Sequence, residues 1–582
     1  MKKSTVTFLP INKICNIHNE KTILELAKNN NIYIEGVCGG KAACGKCKIK
    51  ILQGAANSIT EKERDSLTKE EIENNYRLAC EVTVNQGIEE TEKEWIIYLT
   101  EKNKEQIEKK KNVVLPEDFY PDKYEDEALI NVDNFEKMNG ECGNFGIALD
   151  IGTTTMVAIL WDLTNIQVVN VATKENPQRI IGADILSRMQ YTNERKEHID
   201  EIKQMTINSC NKMIEDLFAS LYYDNEETKS NISFESFIEK NLKKVVVVGN
   251  TAMLHFFMGY STIELSKYPF LSLIEECIIK NASDIGLIGS KDTKVEIIDI
   301  ISGQIGSDIT AAILATNLLE TKNGINELLI DIGTNGEMVL KSNQQILACS
   351  TAAGPAFEGG SIYNGMRAEE GAIQGIYLKS GDIQLDVIGG KMPRGICGSG
   401  LINIISDLLD WGVIDETGRI IDSDEARGKG ISFGLCRRIF YEEDGSNSFI
   451  LKFGTDQEKI VLKQNDIREL QVAKSAICSG IETLLKEGDI VIDELDYIKI
   501  AGTFGNYLDT KKAIRIGLFP DVDQEKLVLV GNAAGTGASM ILLSREYEEK
   551  SKVISKNIKR LELSESKCFS EYYFQNMNFN KK

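Results

Sequence analysis

Two stretches of the chain follow one pattern: GIALDIGTTTMVAIL (residues 146–160) and LLIDIGTNGEMVL (residues 328–340). Each is an apolar run that contains an aspartate, a Gly-Thr turn and a second apolar run, which predicts a β-hairpin. The two aspartates, Asp150 and Asp331, are 181 residues apart. A repeat at nearly a domain length indicates an internal duplication with a cleft between two halves.

The hairpin tips carry groups that suit a phosphate chain. Glycine permits a close backbone approach, and backbone amides and threonine hydroxyls can donate to phosphate oxygens. The predicted contacts at the two tips are Gly152, Thr153, Thr154, Gly333, Thr334, Asn335 and Gly336. We expect Asp150 and Asp331 to hold a hydrated Mg²⁺ rather than phosphate, because Mg²⁺ keeps several of its waters.

Further glycine-rich segments extend this prediction. The strand-like run ending at Ala501 leads into GTFG (502–505), a turn that can lie under an adenosine. Other glycine loops are GPAFEGGS (354–361), CGSG (397–400) and GNAAGTG (531–537), and each alone is also compatible with an ordinary tight turn. The predicted nucleotide contacts in these segments are Gly354, Gly398, Ser399, Gly400, Gly502, Thr503 and Gly505.

Five other side chains are of types that serve catalysis or phosphate binding. Glu337 follows the second hairpin turn and is a candidate for orienting the attacking water, with a strand-end glutamate as the equal alternative. Asp308 is the second candidate for that role. His255 lies in an apolar run and is expected to pack in the core. Arg394 and Lys474 could reach phosphate, but we expect exposed salt bridges.

The cysteines near the N-terminus form a separate site. Residues 38–47 read CGGKAACGKC, and Cys80 follows after 32 intervening residues. Three thiolates from one small-residue loop and one from a distant segment are the ligand set of a [2Fe–2S] cluster. We therefore predict Cys38, Cys44, Cys47 and Cys80 as its ligands. A structural zinc site is the alternative, although such sites usually show two matched CxxC pairs.

The surrounding segments resemble the small β-grasp domain of ferredoxins. Thr22 is a plausible N-cap for a helix over Ile23–Lys28, and Cys15 is expected to be buried rather than a fifth ligand. The predicted strands are Ser4–Leu9 and Lys13–Ile17, which form a hairpin, and Lys48–Leu52 and Glu81–Val84.

Composition excludes several classes of function. The net charge is −21, which disfavours binding to nucleic acid or to anionic lipid. The longest apolar run, Met156–Trp161, is too short to span a bilayer, and the N-terminus lacks the features of a secretion signal. Thirteen cysteines, mostly scattered singly, favour a reducing cytoplasm.

Changes in composition along the chain predict its domains. Residues 98–143 are charged and are interpreted mainly as a solvated tether that lets a redox domain move. The predicted parts are a ferredoxin-like domain (1–97), this linker (98–143), the two halves of the duplication (144–326 and 327–545) and a C-terminal extension (546–582).

The order DxGT, DxGT, GTFG resembles the actin-like (ASKHA) ATPase superfamily of sugar kinases, heat-shock chaperones and actin. Joined to a ferredoxin domain, it resembles the ATP-dependent reductive activators of corrinoid proteins. The resemblance includes the segments VVVVGNTAMLHFFMG (245–259), SGQIGSDITAA (302–312), STAAGPAFEGG (350–360) and RGICGSGLI (394–402). It implies an α/β multidomain fold, with a β-grasp ferredoxin domain before a duplicated RNase H-like body.

The resemblance also implies a function. The chain would use a [2Fe–2S] cluster, ATP and Mg²⁺ to reduce Co(II) to Co(I) in a corrinoid protein of a methyltransferase system. An external low-potential donor would supply the electron, and the ATPase body would pair with a second copy. Two departures stand out: only about fifty residues are available for a separate middle domain, and the tail holds only Cys568.

Two rival functions remain open from the sequence. One is an ATP-driven activator of another low-potential enzyme, such as a 2-hydroxyacyl-CoA dehydratase. The other is a redox and nucleotide-binding module that does not hydrolyse ATP.

Overall fold

The computed structural model of the chain describes residues 5–9, 13–17, 21–30, 32, 34, 47–54, 56–83, 94–99, 113, 115–116, 118–122, 143–223, 232–320, 324–342, 345–455, 458–502 and 508–579. These residues form a small N-terminal domain around a five-stranded sheet and two lobes, each built on a six-stranded sheet. No helix within these ranges is both long and apolar enough to cross a membrane.

The N-terminal domain is a mixed sheet with short helices. Its order is β2-β1-β5-β3-β4, with β1 and β5 parallel. Alternate residues of β1, such as Val6 and Phe8, are fully buried, so one face of the sheet forms the core. The elements are β1 (Thr5–Leu9), β2 (Lys13–Asn16), α1 (Ile23–Asn29), β3 (Lys48–Gln53), α2 (Glu61–Ser66), α3 (Lys69–Glu73), β4 (Tyr76–Leu78) and β5 (Glu94–Leu99).

Most of the local predictions for this domain are confirmed. Strands β1 and β2 pair antiparallel as the predicted hairpin, with Cys15 buried. Helix α1 begins at Ile23, and the Thr22 hydroxyl accepts a hydrogen bond from the Glu25 amide at 3.2 Å. The strand predicted at Glu81–Val84 is wrong for its described residues, 81–83. The Glu81 and Val82 amides both donate to the Leu78 carbonyl, so a turn follows β4 and Cys80 lies in it.

A buried ion pair holds the strand that leads to Cys80. Arg77 on β4 donates to both carboxylate oxygens of Glu63, at 2.8 and 2.7 Å, and the Glu63 side chain is completely buried. Burial acts to raise the pKa of Glu63, but hydrogen bonds from Arg77, Thr60 and Leu78 outweigh it, so the pKa lies below its ordinary value of 4.5. The ionised pair is therefore the stable form at neutral pH.

Glu63→Gln is expected to destabilise this domain by about 3–5 kcal/mol, since it leaves the Arg77 guanidinium buried without its charge partner. The lowered pKa of Glu63 means that its stabilisation is present above pH 4.5 and is lost as the pH falls below it. Urea unfolding of the full chain, followed by the visible absorbance of the predicted cluster, measures the effect at pH 7. Glu71→Gln, which removes a partly exposed pair with Lys48, is the control and should cost about 1 kcal/mol at most.

The first lobe follows from residue 145. Its strands are β6 (Phe145–Ile151), β7 (Thr155–Asp162), β8 (Gln167–Glu175), β9 (Leu242–Gly249), β10 (Ile278–Asn281) and β11 (Lys294–Ile297). Its helices are α4 (Ile185–Glu194), α5 (Glu197–Tyr223), α6 (Phe234–Asn241), α7 (Thr251–Met258), α8 (Ala282–Ile285) and α9 (Ser307–Ala315). The valines at 245–248 on β9 are fully buried, as expected of a strand covered on both faces.

The second lobe carries two small additional sheets. Its strands are β12 (Glu327–Ile332), β13 (Asn335–Lys341), β14 (Ile346–Ala352), β15 (Ala372–Lys379), β16 (Asp382–Val387), β17 (Gly395–Ile396), β18 (Ile439–Tyr441), β19 (Asn447–Lys452), β20 (Ile460–Lys463), β21 (Tyr497–Ala501), β22 (Leu527–Gly531) and β23 (Lys559–Arg560). Its helices are α10 (Gly398–Asp410), α11 (Ser423–Gly428), α12 (Phe433–Cys436), α13 (Gln464–Glu487), α14 (Thr510–Arg515), α15 (Ala533–Leu543), α16 (Arg545–Asn557) and α17 (Lys567–Gln575).

The two large sheets repeat one topology, which confirms the duplication. In each, an antiparallel meander (β8-β7-β6 or β14-β13-β12) continues into two parallel strands (β9-β11 or β21-β22). Both predicted hairpins form, as β6–β7 and β12–β13.

Two helices join the lobes by a close crossing. Helix α15 packs on α9 and on strands β6 and β9 of the first lobe. A Cβ atom added at Gly537 would lie 1.9 Å from the Ala311 carbonyl oxygen. The prediction of a glycine loop at GNAAGTG (531–537) is therefore wrong for residues 533–537, which begin helix α15. Gly535 and Gly537 lie inside α15, and Gly537 lets two backbones touch.

Part of the predicted tether is packed against the lobes. Phe119 is buried, with its ring centroid 5.1 Å from that of Tyr547. The Asp122 amide donates to the Leu543 carbonyl at 3.0 Å, and Asn317 donates to the Asp118 carboxylate. The interpretation of 98–143 as a solvated tether is therefore wrong for residues 118–122. Most of the remaining linker lies outside the described residues.

Candidate functional site

A cleft of about 440 Å³ opens between the two lobes, and both predicted hairpin tips line it. The Thr154 and Thr334 hydroxyls face each other across it, 3.3 Å apart. The predicted residues in its lining are Asp150, Gly152, Thr153, Thr154, Asp308, Asp331, Gly333, Thr334, Asn335, Glu337, Gly398, Ser399 and Gly502. The duplication thus brings together groups that are about 180 residues apart in sequence.

Three predicted glycines do not line the cleft. A Cβ atom at Gly336 would lie 2.1 Å from Ile477 of α13, and one at Gly400 would lie 2.0 Å from the Ile373 carbonyl oxygen. These glycines serve packing instead. Gly354 has a φ of +81°, and its amide donates to the Thr334 carbonyl at 2.8 Å, so it supports the second tip from outside. The predicted contacts Thr503 and Gly505 lie outside the described residues.

Four carboxyl groups line the cleft; Glu337 is buried, and the three aspartates are partly buried. Asp150 lies near the end of β6, Asp308 in the first turn of α9, and Asp331 opposite Glu337 in the β12–β13 pair. Burial, and then repulsion from Asp331, raises the pKa of Asp308 to about 7. Burial, and then the charge of Glu358, raises the pKa of Asp331 to about 6.

The other two acids are shifted in the same direction. Burial raises the pKa of Asp150 and of Glu337 well above their ordinary values, with further contributions from Asp308 and Asp331. A site that concentrates negative charge in this way suits a cation. Within the described ranges, no three acidic, histidine or cysteine side chains converge as a direct ligand set.

Sequence reasoning missed several polar residues of the cleft. The Thr334 hydroxyl donates to Glu358 at 3.1 Å. Arg367 of the second lobe reaches across to the first, at 3.4 Å from the Thr154 carbonyl and 3.0 Å from Glu175. Glu358 lies within GPAFEGGS (354–361), where the glycines, and not this carboxylate, suggested a ligand site.

Two asparagines in the lining were also missed. Asn250 and Asn532 each follow a strand and cap the next helix, accepting from the amides of Ala252 and Gly535. An asparagine between an apolar strand and a helix was the available signal.

The remaining candidates have structural environments. His255 is fully buried; its Nδ1 faces the Thr251 carbonyl at 2.9 Å, and its Nε2 accepts from the Leu273 amide, so the core prediction is confirmed. Arg394 forms the expected exposed salt bridge, with Glu369. The prediction for Lys474 is wrong. It is 1% exposed and donates to the carbonyls of Asn576 and Asn578, anchoring the C-terminal segment.

Two of the predicted cluster ligands meet in the N-terminal domain. Cys47 and Cys80 are buried, and their sulfur atoms are 3.3 Å apart. The Ala79 amide donates to the Cys47 carbonyl at 2.8 Å, which fixes the two segments against each other. Two thiols this close fit ligands of one metal centre. Cys38 and Cys44 lie outside the described residues.

Comparisons with protein families match three models to the chain. The model described as a 2Fe-2S iron-sulfur cluster binding domain matches residues 7–85. The RACo middle region matches residues 145–321, and the C-terminal domain of RACo, the ASKHA domain, matches residues 326–582. The match to the RACo middle region coincides with the first lobe and does not include residues 98–143.

Three proteins similar to this chain are named for the activation or reduction of corrinoid proteins. A corrinoid activation enzyme, RamQ, of Eubacterium limosum is 32% identical over 438 residues, 75% of this chain and 70% of that protein. A [Co(II) methylated amine-specific corrinoid protein] reductase of Methanosarcina barkeri is 24% identical over 471 residues, covering 75% and 77%. A solved structure of a reductive activator for corrinoid, iron-sulfur protein has a TM-score of 0.67 at 27% identity, covering 99% and 98% of the two chains. The predicted fold class is confirmed.

Proposed function

Because this chain belongs to the RACo family, we propose that it is an ATP-dependent enzyme that reduces the Co(II) form of a corrinoid protein to Co(I). One observation carries the proposal: a single chain holds both a pair of buried thiols 3.3 Å apart and a two-lobed cleft lined by a duplicated Asp-Ile-Gly-Thr turn. The relatives' names point to the same reaction.

The residues present fit the two inorganic groups that the family implies. Cys47 and Cys80, with Cys38 and Cys44, would hold a [2Fe–2S] cluster, which supplies one-electron transfer when bound. Asp150 and Asp331 would hold Mg²⁺ through water, since their crowding with two other acids calls for positive charge.

The chemistry explains why the same chain would need ATP. Plant-type [2Fe–2S] centres have potentials near about −400 mV, and Co(I) corrinoid is a stronger reductant than such a centre. Each 100 mV uphill costs roughly 2.3 kcal/mol per electron. We propose that closure of the cleft and hydrolysis of ATP within it supply that energy while the two lobes bind the corrinoid protein.

Within the cleft, we assign roles by position. The Thr154 and Thr334 hydroxyls, which face each other across the cleft, would bind neighbouring phosphates. Glu337 would orient the attacking water, because it lies beside Asp331 on the paired strand and its carboxylate is buried in the cleft lining. Asp308, in the first turn of α9, remains the second candidate.

The proposal includes two further partners. An external low-potential donor would supply the electron to the cluster. A second copy of the ATPase body is implied by the resemblance. The rival target, a 2-hydroxyacyl-CoA dehydratase, is disfavoured because both quoted relatives are named for corrinoid proteins.

The test mixes the purified chain, ATP, a low-potential reductant and a corrinoid protein under anaerobic conditions, and follows cobalt by its visible spectrum. We expect Co(I) to accumulate with ATP and not with a non-hydrolysable analogue. Phosphate release is measured in parallel. Co(I) formation independent of ATP would contradict the proposal, and an absence of phosphate release would favour the non-hydrolysing module.

A further inference from the structure

The backbone carbonyls at the first hairpin tip are held from behind by two buried side chains. Asn176, which follows β8, donates its side-chain amide to the Gly152 carbonyl at 2.9 Å. Arg188 of α4 donates from Nη1 to the Thr153 carbonyl at 2.7 Å. The Asn176 backbone amide also donates to the Thr154 carbonyl at 2.8 Å. Three successive carbonyls of the tip are thus bound by residues outside the cleft lining.

These contacts, together with peptide geometry, fix the direction in which the neighbouring N–H groups point. In a trans peptide the carbonyl and the following N–H point to opposite sides. With the carbonyls of Gly152 and Thr153 turned toward Asn176 and Arg188, the N–H groups of Thr153 and Thr154 are turned away from them. Among the residues described, no acceptor is assigned to either N–H group, and both threonines line the cleft.

The two side chains are themselves fixed. Asn176 and Arg188 are each 0% exposed. The Asn176 side-chain oxygen accepts from the Gln178 amide at 3.0 Å, and Arg188 donates from Nε to the Gly182 carbonyl at 2.9 Å and from Nη1 to the Gln178 side chain at 3.1 Å. Side chains held in this way can hold a backbone to a fraction of an ångström.

A buried guanidinium is costly, so its position calls for a compensating role. Burial lowers the pKa of Arg188 to about 10, and it therefore stays charged at neutral pH. One of its nitrogens, Nη2, is buried without a hydrogen-bond partner among the described residues. A positive charge immediately behind the hairpin adds to the attraction for an anion in front of it.

We propose that Asn176 and Arg188 are positioning residues for the nucleotide phosphates, because they turn the N–H groups of Thr153 and Thr154 into the cleft as phosphate donors. This inference rests on the proposed nucleotide site. According to this inference, Asn176 and Arg188 do not touch the ligand but orient the N–H groups that bind its phosphates. The binding of the nucleoside does not depend on them.

Two conservative variants of the full chain test this. Asn176→Asp keeps the acceptor for the Gln178 amide but removes the donor to Gly152, and Arg188→Lys keeps the charge but loses the planar fork. The dissociation constants of ATP and of adenosine, which has no phosphate, are measured by competition with a fluorescent ADP analogue. We expect ATP binding to weaken by about tenfold in each variant, with adenosine binding unchanged. Arg195→Lys, at the exposed end of α4, is the matched control and should bind both ligands normally.

The possible outcomes distinguish a failure of this inference from a failure of the proposed function. Unchanged ATP binding in both variants would overturn the positioning role and leave the nucleotide site intact. Equal weakening of ATP and adenosine, together with a lower unfolding temperature, would show a merely structural role and would also overturn it. If the unmodified chain does not bind ATP, the proposed function fails and the inference fails with it.

Discussion

Cys47→Ala and Cys80→Ala will each abolish corrinoid reduction while ATP hydrolysis continues at the rate of the unmodified protein. The two sulfur atoms are 3.3 Å apart in the small N-terminal domain. That domain has its own sheet and its own buried core, separate from those of the lobes. Loss of one of the four proposed thiolate ligands should therefore remove the [2Fe–2S] cluster without disturbing the cleft.

The measurements are iron content, the visible spectrum of the anaerobically purified chain, Co(I) formation and phosphate release. Cys15→Ala is the matched control, because Cys15 is equally buried in the same domain but belongs to the β1–β2 hairpin. It should retain iron and reductase activity. Full iron content in the Cys47 and Cys80 variants would refute their assignment as ligands. One zinc ion per chain in place of iron would favour the structural zinc site.

Glu337→Gln is expected to lower ATP hydrolysis by about 100- to 1,000-fold with nucleotide binding nearly unchanged. Glutamine has the same shape and can still accept from the Ser350 hydroxyl, which lies 3.5 Å from the Glu337 carboxylate. It cannot accept a proton or orient water as a carboxylate does. Because corrinoid reduction depends on hydrolysis in this scheme, Co(I) formation should fall in parallel.

Asp308→Asn is the comparison that decides between the two candidates. If Asp308 orients the water, its variant will show the larger loss of hydrolysis and Glu337→Gln will show little. ATP binding by calorimetry and the unfolding temperature of both variants exclude a folding defect. Chelation of Mg²⁺ by EDTA should stop hydrolysis in the unmodified protein, and full activity in EDTA would count against the hydrated ion at Asp150 and Asp331.

Local pattern was sufficient where local chemistry decides the structure. The alternation of apolar residues and the Gly-Thr turns predicted both hairpins, and the repeat predicted the cleft between them. The N-cap at Thr22 and the buried positions of Cys15 and His255 were also predictable, since each depends on neighbours along the chain or on an apolar segment. The family resemblance was recognisable because several motifs occur in a particular order along the chain.

The glycines show where such reasoning stops. Gly333 lines the cleft and leaves ordinary room beside it, whereas Gly400 and Gly537 allow another backbone to approach closely. These two uses have one sequence signature, because a missing side chain leaves room equally for a ligand or for a neighbouring segment. Only the partner that fills the space distinguishes them, and that partner comes from a distant part of the chain.

What the sequence by itself determined is the duplication, the fold class and the order of the parts, because these depend on residue types and spacing. Tertiary structure alone decided which groups meet. It placed Arg367 across the cleft, buried Lys474 under the C-terminal segment, and set Asn176 and Arg188 behind the first hairpin. These contacts join residues that are distant along the chain, and no local sequence pattern predicts them. Their burial and hydrogen-bond pairing arise only when the lobes are packed.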